Sequence, residues 1–213
     1  MDDTLILDRD AGSLYDGRGA RFLPRERRWD AAMEAPLARA GERVAPAEAV
    51  RWLQHDSGHP LRVPVGVIGP RAATPAQLAV AEAIGEGLAM RGYVVVCGGR
   101  EGVMEAVCRG AAARGGIAVG LTPDTDAALA NPYAAIVLAT GIGEARNAII
   151  ARASFCLIAI GDSHGTLSEV ALGLHFGKTV IGLAGAAPLP GVQTVATVDD
   201  ALSGVDRLAL GLT

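Results

Sequence analysis

Four glycine-bearing segments hold the residue types that could do chemistry: 69–73, 98–102, 140–147 and 161–169. The last reads Gly161-Asp162-Ser163-His164-Gly165-Thr166-Leu167-Ser168-Glu169 and follows an apolar run, 155–160. A strand that stops at such a loop and feeds a helix builds an anion site. The first turn of a helix has N–H groups without intrahelical partners, and its dipole favours negative charge. Gly165 and Thr166 are therefore candidate phosphate ligands. Thr166-x-x-Glu169 is also the pattern of a capping box, which needs no ligand.

Arg146 opens a helical pattern in Gly143-Glu144-Ala145-Arg146-Asn147, where a cation is electrostatically misplaced. An anionic ligand or the carboxylate of Glu169 would explain it. Asn147 is positioned to hydrogen-bond a ligand or its own backbone. Gly69, Gly98, Gly99, Gly102, Thr140 and Gly141 supply close backbone approach in the other loops, and Arg71 and Arg100 are candidate phosphate clamps. His164 has the chemistry of a phosphate donor or general acid.

The elements that must position these groups read as a regular alternation. Apolar runs at 63–68, 93–97, 117–121, 135–139, 155–160 and 178–183 predict strands, and 192–198 predicts a last edge strand. Helical patterns fall at 74–91, 103–114, 144–153 and 166–176, with a short terminal helix from Asp199-Asp200. Thr74-Pro75-Ala76-Gln77 predicts a second capping box with proline at its first helical position. Strands apolar on both faces and alternating with helices imply a doubly wound, Rossmann-like α/β fold, with a parallel sheet of about six to seven strands. All four glycine-bearing loops follow strands, so the topology gathers them at the carboxyl ends, where such folds bind ligands. No G-x-G-x-x-G follows the first strand and no P-loop is present, which argues against a dinucleotide and suits a mononucleotide phosphate or another anion.

The 213 residues carry a net charge of −4 and few aromatics, which argues against a nucleic-acid platform. The three cysteines, Cys97, Cys108 and Cys156, are widely spaced and read as buried hydrophobes, and no Cys/His cluster predicts a metal. No signal peptide and no run of about 18 apolar residues is expected, so a cytoplasmic protein is the default. Residues 1–60 differ from the rest and read as an N-terminal extension before a ligand-binding domain at 61–213. Within it, residues 5–7 and 20–23 predict a short hairpin about Asp16-Gly17, and 46–54 a helix; the segment is a candidate interface arm.

Residues 63–185 resemble the LOG-like branch of the SLOG Rossmann superfamily, which includes cytokinin-activating phosphoribohydrolases and proteins labelled "putative lysine decarboxylase". The resemblance rests on Cys97-Gly-Gly-Arg-Glu-Gly-Val-Met104, Asn131-Pro-Tyr, Thr140-Gly-Ile-Gly-Glu-Ala-Arg-Asn147, Gly165-Thr-Leu-Ser-Glu169 and Gly177-Lys178. Within the superfamily the chain is most similar to bacterial proteins of the molybdenum-cofactor carrier type. That likeness implies a protein binding a nucleotide or phosphorylated pterin, with molybdenum cofactor as cargo. The hydrolase branch implies instead a nucleoside 5′-monophosphate phosphoribohydrolase with Arg146 and Glu169 as catalytic pair. In that branch the glutamate stabilises an oxocarbenium-like ribose. Its pattern is Pro-Gly-Gly-x-Gly-Thr-x-x-Glu, however, and Gly161-Asp162-Ser163 stands at its start here; Arg146-Asn147 replaces Arg-Lys. A structural or regulatory oligomer without catalysis is a third reading. The superfamily implies a homodimer or homotetramer, with the small residues 110–113 as a candidate subunit contact.

Overall fold

The computed structural model describes residues 4–31 and 41–212. The chain divides into two compact units, the first Met1–Leu61 with Ser203–Thr213 and the second Arg62–Leu202.

In the first unit, β1 (Leu5–Asp8), β2 (Ser13–Asp16), β3 (Arg21–Leu23), β4 (Arg28–Asp30) and β5 (Glu42–Val44) form an antiparallel sheet of order β4-β3-β2-β1-β5. This is more than the hairpin expected. The turn at Asp16 does join two strands, but they are β2 and β3, while Leu5 to Asp8 pairs with β2 and β5. Strands of three or four residues with charged members leave little apolar pattern to read. Asp16 Oδ1 accepts from the N–H groups of Arg18 and Ala20, which fixes the turn. Leu5, Leu7, Leu14 and Phe22 form the buried face, with Trp52 and Leu53 of helix α1 (Pro46–His55) also buried. Trp29 Nε1 donates to Leu210 O at 2.8 Å, so the C-terminal residues belong to this unit.

The second unit is the doubly wound fold. Its seven strands are β6 (Val65–Ile68), β7 (Val95–Cys97), β8 (Ala118–Thr122), β9 (Ile136–Ala139), β10 (Leu157–Ile160), β11 (Val180–Leu183) and β12 (Val192–Thr194). All pairs are parallel, in the order β12-β11-β10-β6-β7-β8-β9. The connecting helices are α2 (Pro75–Met90), α3 (Val103–Ala113), α4 (Arg146–Ala153) and α5 (His164–His175). Helix α6 (Val198–Ala209) begins in this unit and ends in the other. Val96, Leu157, Ala159 and Val180 from the strands and Ile150, Ala151 and Val170 from the helices are part of one buried cluster. β6, β7, β10 and β11 are buried at every position, as covered parallel strands should be; β9 is largely exposed.

Two helix starts explain local order. Thr74 caps α2 as predicted: its side chain accepts from Gln77 N, and Gln77 Oε1 accepts from Thr74 N. Gln77 Nε2 also reaches Ala184 O, 3.1 Å away beyond β11. Helices α2 and α3 lie close because glycines face each other's backbones. A Cβ on Gly85 would run into Val107 O, and one on Gly110 into Glu82 O. Gly110 is therefore spent inside the chain and Ala111 is buried, while Ala112 and Ala113 stay exposed; sequence spacing cannot distinguish the two uses.

Candidate functional site

β6 sits between β10 and β7, so the direction of winding reverses beside it and a crevice opens at the carboxyl ends of these strands. A cavity of about 720 Å³ occupies that place, within the size range of small-ligand sites. Its walls are Gly69 to Ala72 after β6, Arg100 and Met104 after β7, Pro123 after β8, Glu144, Arg146 and Asn147 at the start of α4, and Asp162 to Thr166, Ser168 and Glu169 after β10.

Of the residues singled out from sequence, Gly69, Arg71, Arg100, Arg146, Asn147, His164, Gly165, Thr166 and Glu169 meet at this cavity. Gly98, Gly99, Gly102, Thr140 and Gly141 do not line it. They shape what stands behind it. Gly98 leaves room for the Arg146 guanidinium and Met104 Sδ, which a Cβ there would strike. Gly99 (φ +71°) lies against Gly120 and Thr122. Gly102 (φ +74°) lies against the carbonyls of Pro70 and Arg71 and lets Val103 N donate to Pro70 O at 3.1 Å. Thr140 spends both its N–H and its hydroxyl on Thr122 O. Sequence reasoning did not include Met104, Pro123, Glu144 or Ser168. Met104, Glu144 and Ser168 stand inside the quoted motifs without a role of their own, and Pro123 stands outside them; the helical offset of Ser168 from Gly165 is the one signal of a shared face.

Arg146 is buried at the first position of α4, and its Nη1 lies 3.1 Å from Glu169 Oε1; the side chains are 7% and 8% exposed. Glu169 is thus one of the two partners that would explain a cation there. Asn147 Nδ2 donates to Ser168 Oγ, which donates to Gly165 O. Arg71 pairs with Glu101, both exposed, and Arg100 pairs with Asp124. Asn131 holds the Arg100 loop, donating from its backbone to Gly99 O and from Nδ2 to Arg100 O. Four buried side-chain atoms among the described residues have no partner: Arg100 Nε, Thr122 Oγ1, Arg146 Nε and Asn147 Oδ1. Three of their four residues line the cavity. Buried polar atoms are normally paired, so these mark groups held for something else.

Burial pushes the Glu169 carboxyl up to about 7; Arg146 opposes the shift and the nearby Glu144 adds to it. The folded protein thus holds a proton on Glu169 at pH values where the unfolded chain, titrating near 4.5, has lost it. The stabilisation is complete below the unfolded value and is lost as pH rises through about 7. Thermal unfolding followed from pH 5 to pH 8 should therefore show the melting temperature falling, with the fall much reduced in Glu169→Gln. An unchanged slope in that variant would assign the dependence to other groups.

The loop after β10 differs from expectation. Helix α5 begins at His164, not Thr166, and its cap is Ser163, whose Oγ accepts from Thr166 N at 3.1 Å and sits 2.8 Å from Thr166 Oγ1. Thr166 is inside the first turn and buried. The Thr166–Glu169 capping box therefore does not form, and Glu169 is released toward Arg146. Ser163→Ala should cost about 1 kcal/mol in denaturant unfolding, the usual value of a lost N-cap. A neutral result would mean that water satisfies the Thr166 N–H as well as the Ser163 hydroxyl does.

A family model, the SLOG cluster4 family, matches residues 62–205. The chain belongs to this family. The matched SLOG segment contains every residue of the cavity wall, and residues 1–61 lie outside it. An uncharacterized protein of Archaeoglobus fulgidus is 37% identical over 139 residues, which are 65% of this chain and 91% of that protein. Among solved structures, the molybdenum cofactor binding protein of Rippkaea orientalis is similar at TM-score 0.66 and 34% identity, over 70% of this chain and 98% of that one. The molybdenum cofactor carrier protein of Chlamydomonas reinhardtii is similar at TM-score 0.64 and 33% identity, over 69% of this chain and 98% of that one.

Proposed function

We propose that this SLOG-family protein is a carrier-type protein that binds a small phosphorylated ligand, a pterin of the molybdenum-cofactor kind or a nucleotide, in the cavity at the strand ends. The observation that carries the reading is the pair of buried, unpartnered atoms Arg146 Nε and Asn147 Oδ1 in the wall of a cavity of about 720 Å³. Two residues adjacent in sequence, both lining the cavity, thus each keep one buried polar atom unpaired, a donor and an acceptor, and leaving such atoms without partners is costly. The N-terminus of α5 stands beside them, with Gly165 open to close approach and the residues 69–72 forming another wall. The likeness to proteins named for binding or carrying molybdenum cofactor supports a pterin phosphate as cargo. In this reading Arg71, Arg100 and Arg146 supply positive charge, the α5 turn takes the phosphate, and the protein works in the cytoplasm as a homo-oligomer.

The buried Arg146–Glu169 pair favours one alternative, hydrolysis of the N-glycosidic bond of a nucleoside 5′-monophosphate. Two features argue against it. Glu169 near 7 is only partly ionised at neutral pH, which weakens it as a stabiliser of positive charge. The Pro-Gly-Gly start of the hydrolase pattern is also missing, with Gly161-Asp162-Ser163 in its place. Incubation of the purified protein with AMP separates the readings. The carrier reading expects saturable binding, weakened by Arg146→Ala, with no ribose 5-phosphate or adenine released. Turnover that disappears in Glu169→Ala would overturn it in favour of the hydrolase. Equal affinity of wild type and Arg146→Ala for both AMP and molybdenum cofactor would remove Arg146 from the site.

A further inference from the structure

The charges around the cavity do not add up to a simple anion site. Among the described residues its wall holds three arginines, and each is already paired with a carboxylate distant in sequence: Arg71 with Glu101, Arg100 with Asp124 and Arg146 with Glu169. Glu144 and Asp162 bring two further carboxylates to the same wall. The N-terminus of α5 offsets only about half a unit charge. A phosphate dianion is therefore held more tightly if one of these carboxylates gives up its charge.

Their exposure says which. Glu101 is 58% and Asp124 28% exposed, and Glu144 and Asp162 are exposed too, so water reaches all four. Glu169 is 8% exposed, with Arg146 Nη1 3.1 Å away as its ion-pair partner. A buried carboxylate whose cation turns to another anion meets repulsion on top of desolvation, and both favour its neutral form. Once protonated it also gains an O–H donor. Burial has already brought this carboxyl to about 7 before any ligand arrives, and Glu144, in the turn before α4, adds to that push. The other groups around Glu169 do not compete for the role. β10 and β11, packed against α5, carry no titratable side chain. Arg152 of α4 is stacked over Phe176 at the other end of the helix. Cys97 of β7, which feels the Arg146 charge, is kept a neutral thiol by its contact with Cys108 and by burial. His164, exposed at the start of α5, is the other proton acceptor in the wall.

We propose that Glu169 is a proton-linked positioning residue: as a phosphate dianion enters the cavity, Glu169 takes one proton from solvent and Arg146 passes from the carboxylate to the ligand. This role rests on the phospho-ligand reading above and adds how that site is regulated. Binding and proton uptake are then linked, so affinity rises as pH falls and the ligand is released as pH rises, by at most about tenfold per pH unit for one proton.

Calorimetric titration of the full chain with AMP at pH 8, in two buffers of different ionisation enthalpy, counts the protons taken up per ligand. The phosphate, with a second pKa of about 6, is already a dianion there. The wild type should take up more than about half a proton and Glu169→Gln none, while His164→Ala keeps the uptake. From pH 7.5 to pH 9 the affinity of the wild type should fall several-fold per pH unit and that of Glu169→Gln stay level. If Glu169→Gln fails to fold, difference infrared spectra of the wild type decide, through a carboxylic-acid C=O band that appears when AMP is added at pH 8. Saturable binding without proton uptake, uptake that survives in Glu169→Gln or vanishes in His164→Ala, or absence of the band would overturn the role of Glu169 and leave the phospho-ligand reading standing. No saturable binding of AMP or inorganic phosphate at either pH 6.5 or pH 8 would overturn that reading, and this role with it.

Discussion

Replacing Arg146 with alanine should cost about 3–5 kcal/mol of folding stability at pH 8, the range found when one partner of a buried ion pair is removed. The guanidinium and carboxylate are almost fully withdrawn from water and 3.1 Å apart. Without the arginine, Glu169 is left ionised and unpaired or must take up a proton. The cost should shrink toward pH 5.5, because Glu169 is already protonated there in the wild type. Urea unfolding at the two pH values measures the difference. A double change, Arg146→Met with Glu169→Leu, should recover most of the loss, since apolar groups of similar volume remove both desolvation penalties. If the single variant loses under about 1 kcal/mol at pH 8, the pair behaves as a solvated surface bridge and not as a buried one.

Gly102→Ala is the second large effect, expected at about 3 kcal/mol or more from a backbone region that side chains rarely enter together with a steric clash. Gly102 has φ +74° and ψ −132° at the N-terminus of α3, and a Cβ there would stand 2.5 Å from Pro70 O. Those carbonyl atoms cannot swing aside as a side chain can, so the loops after β6 and β7 must separate, breaking the bond from Val103 N to Pro70 O. Ligand affinity should fall with stability, because residues 69–72 form one wall of the cavity. Gly115→Ala is the control: φ is +69°, yet nothing lies within 4 Å of the added Cβ, so about 1 kcal/mol is expected. Equal melting temperatures for the two variants would show that conformation alone, without the contact between loops, sets the cost.

The alternation of strands and helices in the second unit was legible because buried parallel strands write themselves as short apolar runs between glycines. β10 and β11 follow that rule at every position. The gathering of Gly69, Arg146, Gly165 and Glu169 was legible too, because the fold class fixes where strand ends meet. The start of α5 was not. Ser163 and Thr166 both have cap chemistry, and the choice rests on Glu169 being drawn to Arg146, 23 residues earlier, a contact that no local pattern carries. Gly110 was read with residues 110–113 as a subunit contact, and no local pattern tells that it instead faces Glu82 O of α2. The first unit was half legible: the turn at Asp16 showed, while strands as short as β3 and β4 did not.

Gln77 ties together one side of the sheet's carboxyl end. Its side chain caps α2 and holds Ala184 O, and a Cβ on Gly161 would strike it. Gly161 N in turn donates to Leu183 O. The beginning of α2 and the ends of β10 and β11 are thereby riveted into one stiff jamb. The Arg71–Glu101 pair, in contrast, is exposed on both sides. A molecule passing Arg71 has only a solvated ion pair to displace, whereas the strand end that leads to Ser163 is tied by backbone and side-chain bonds alike.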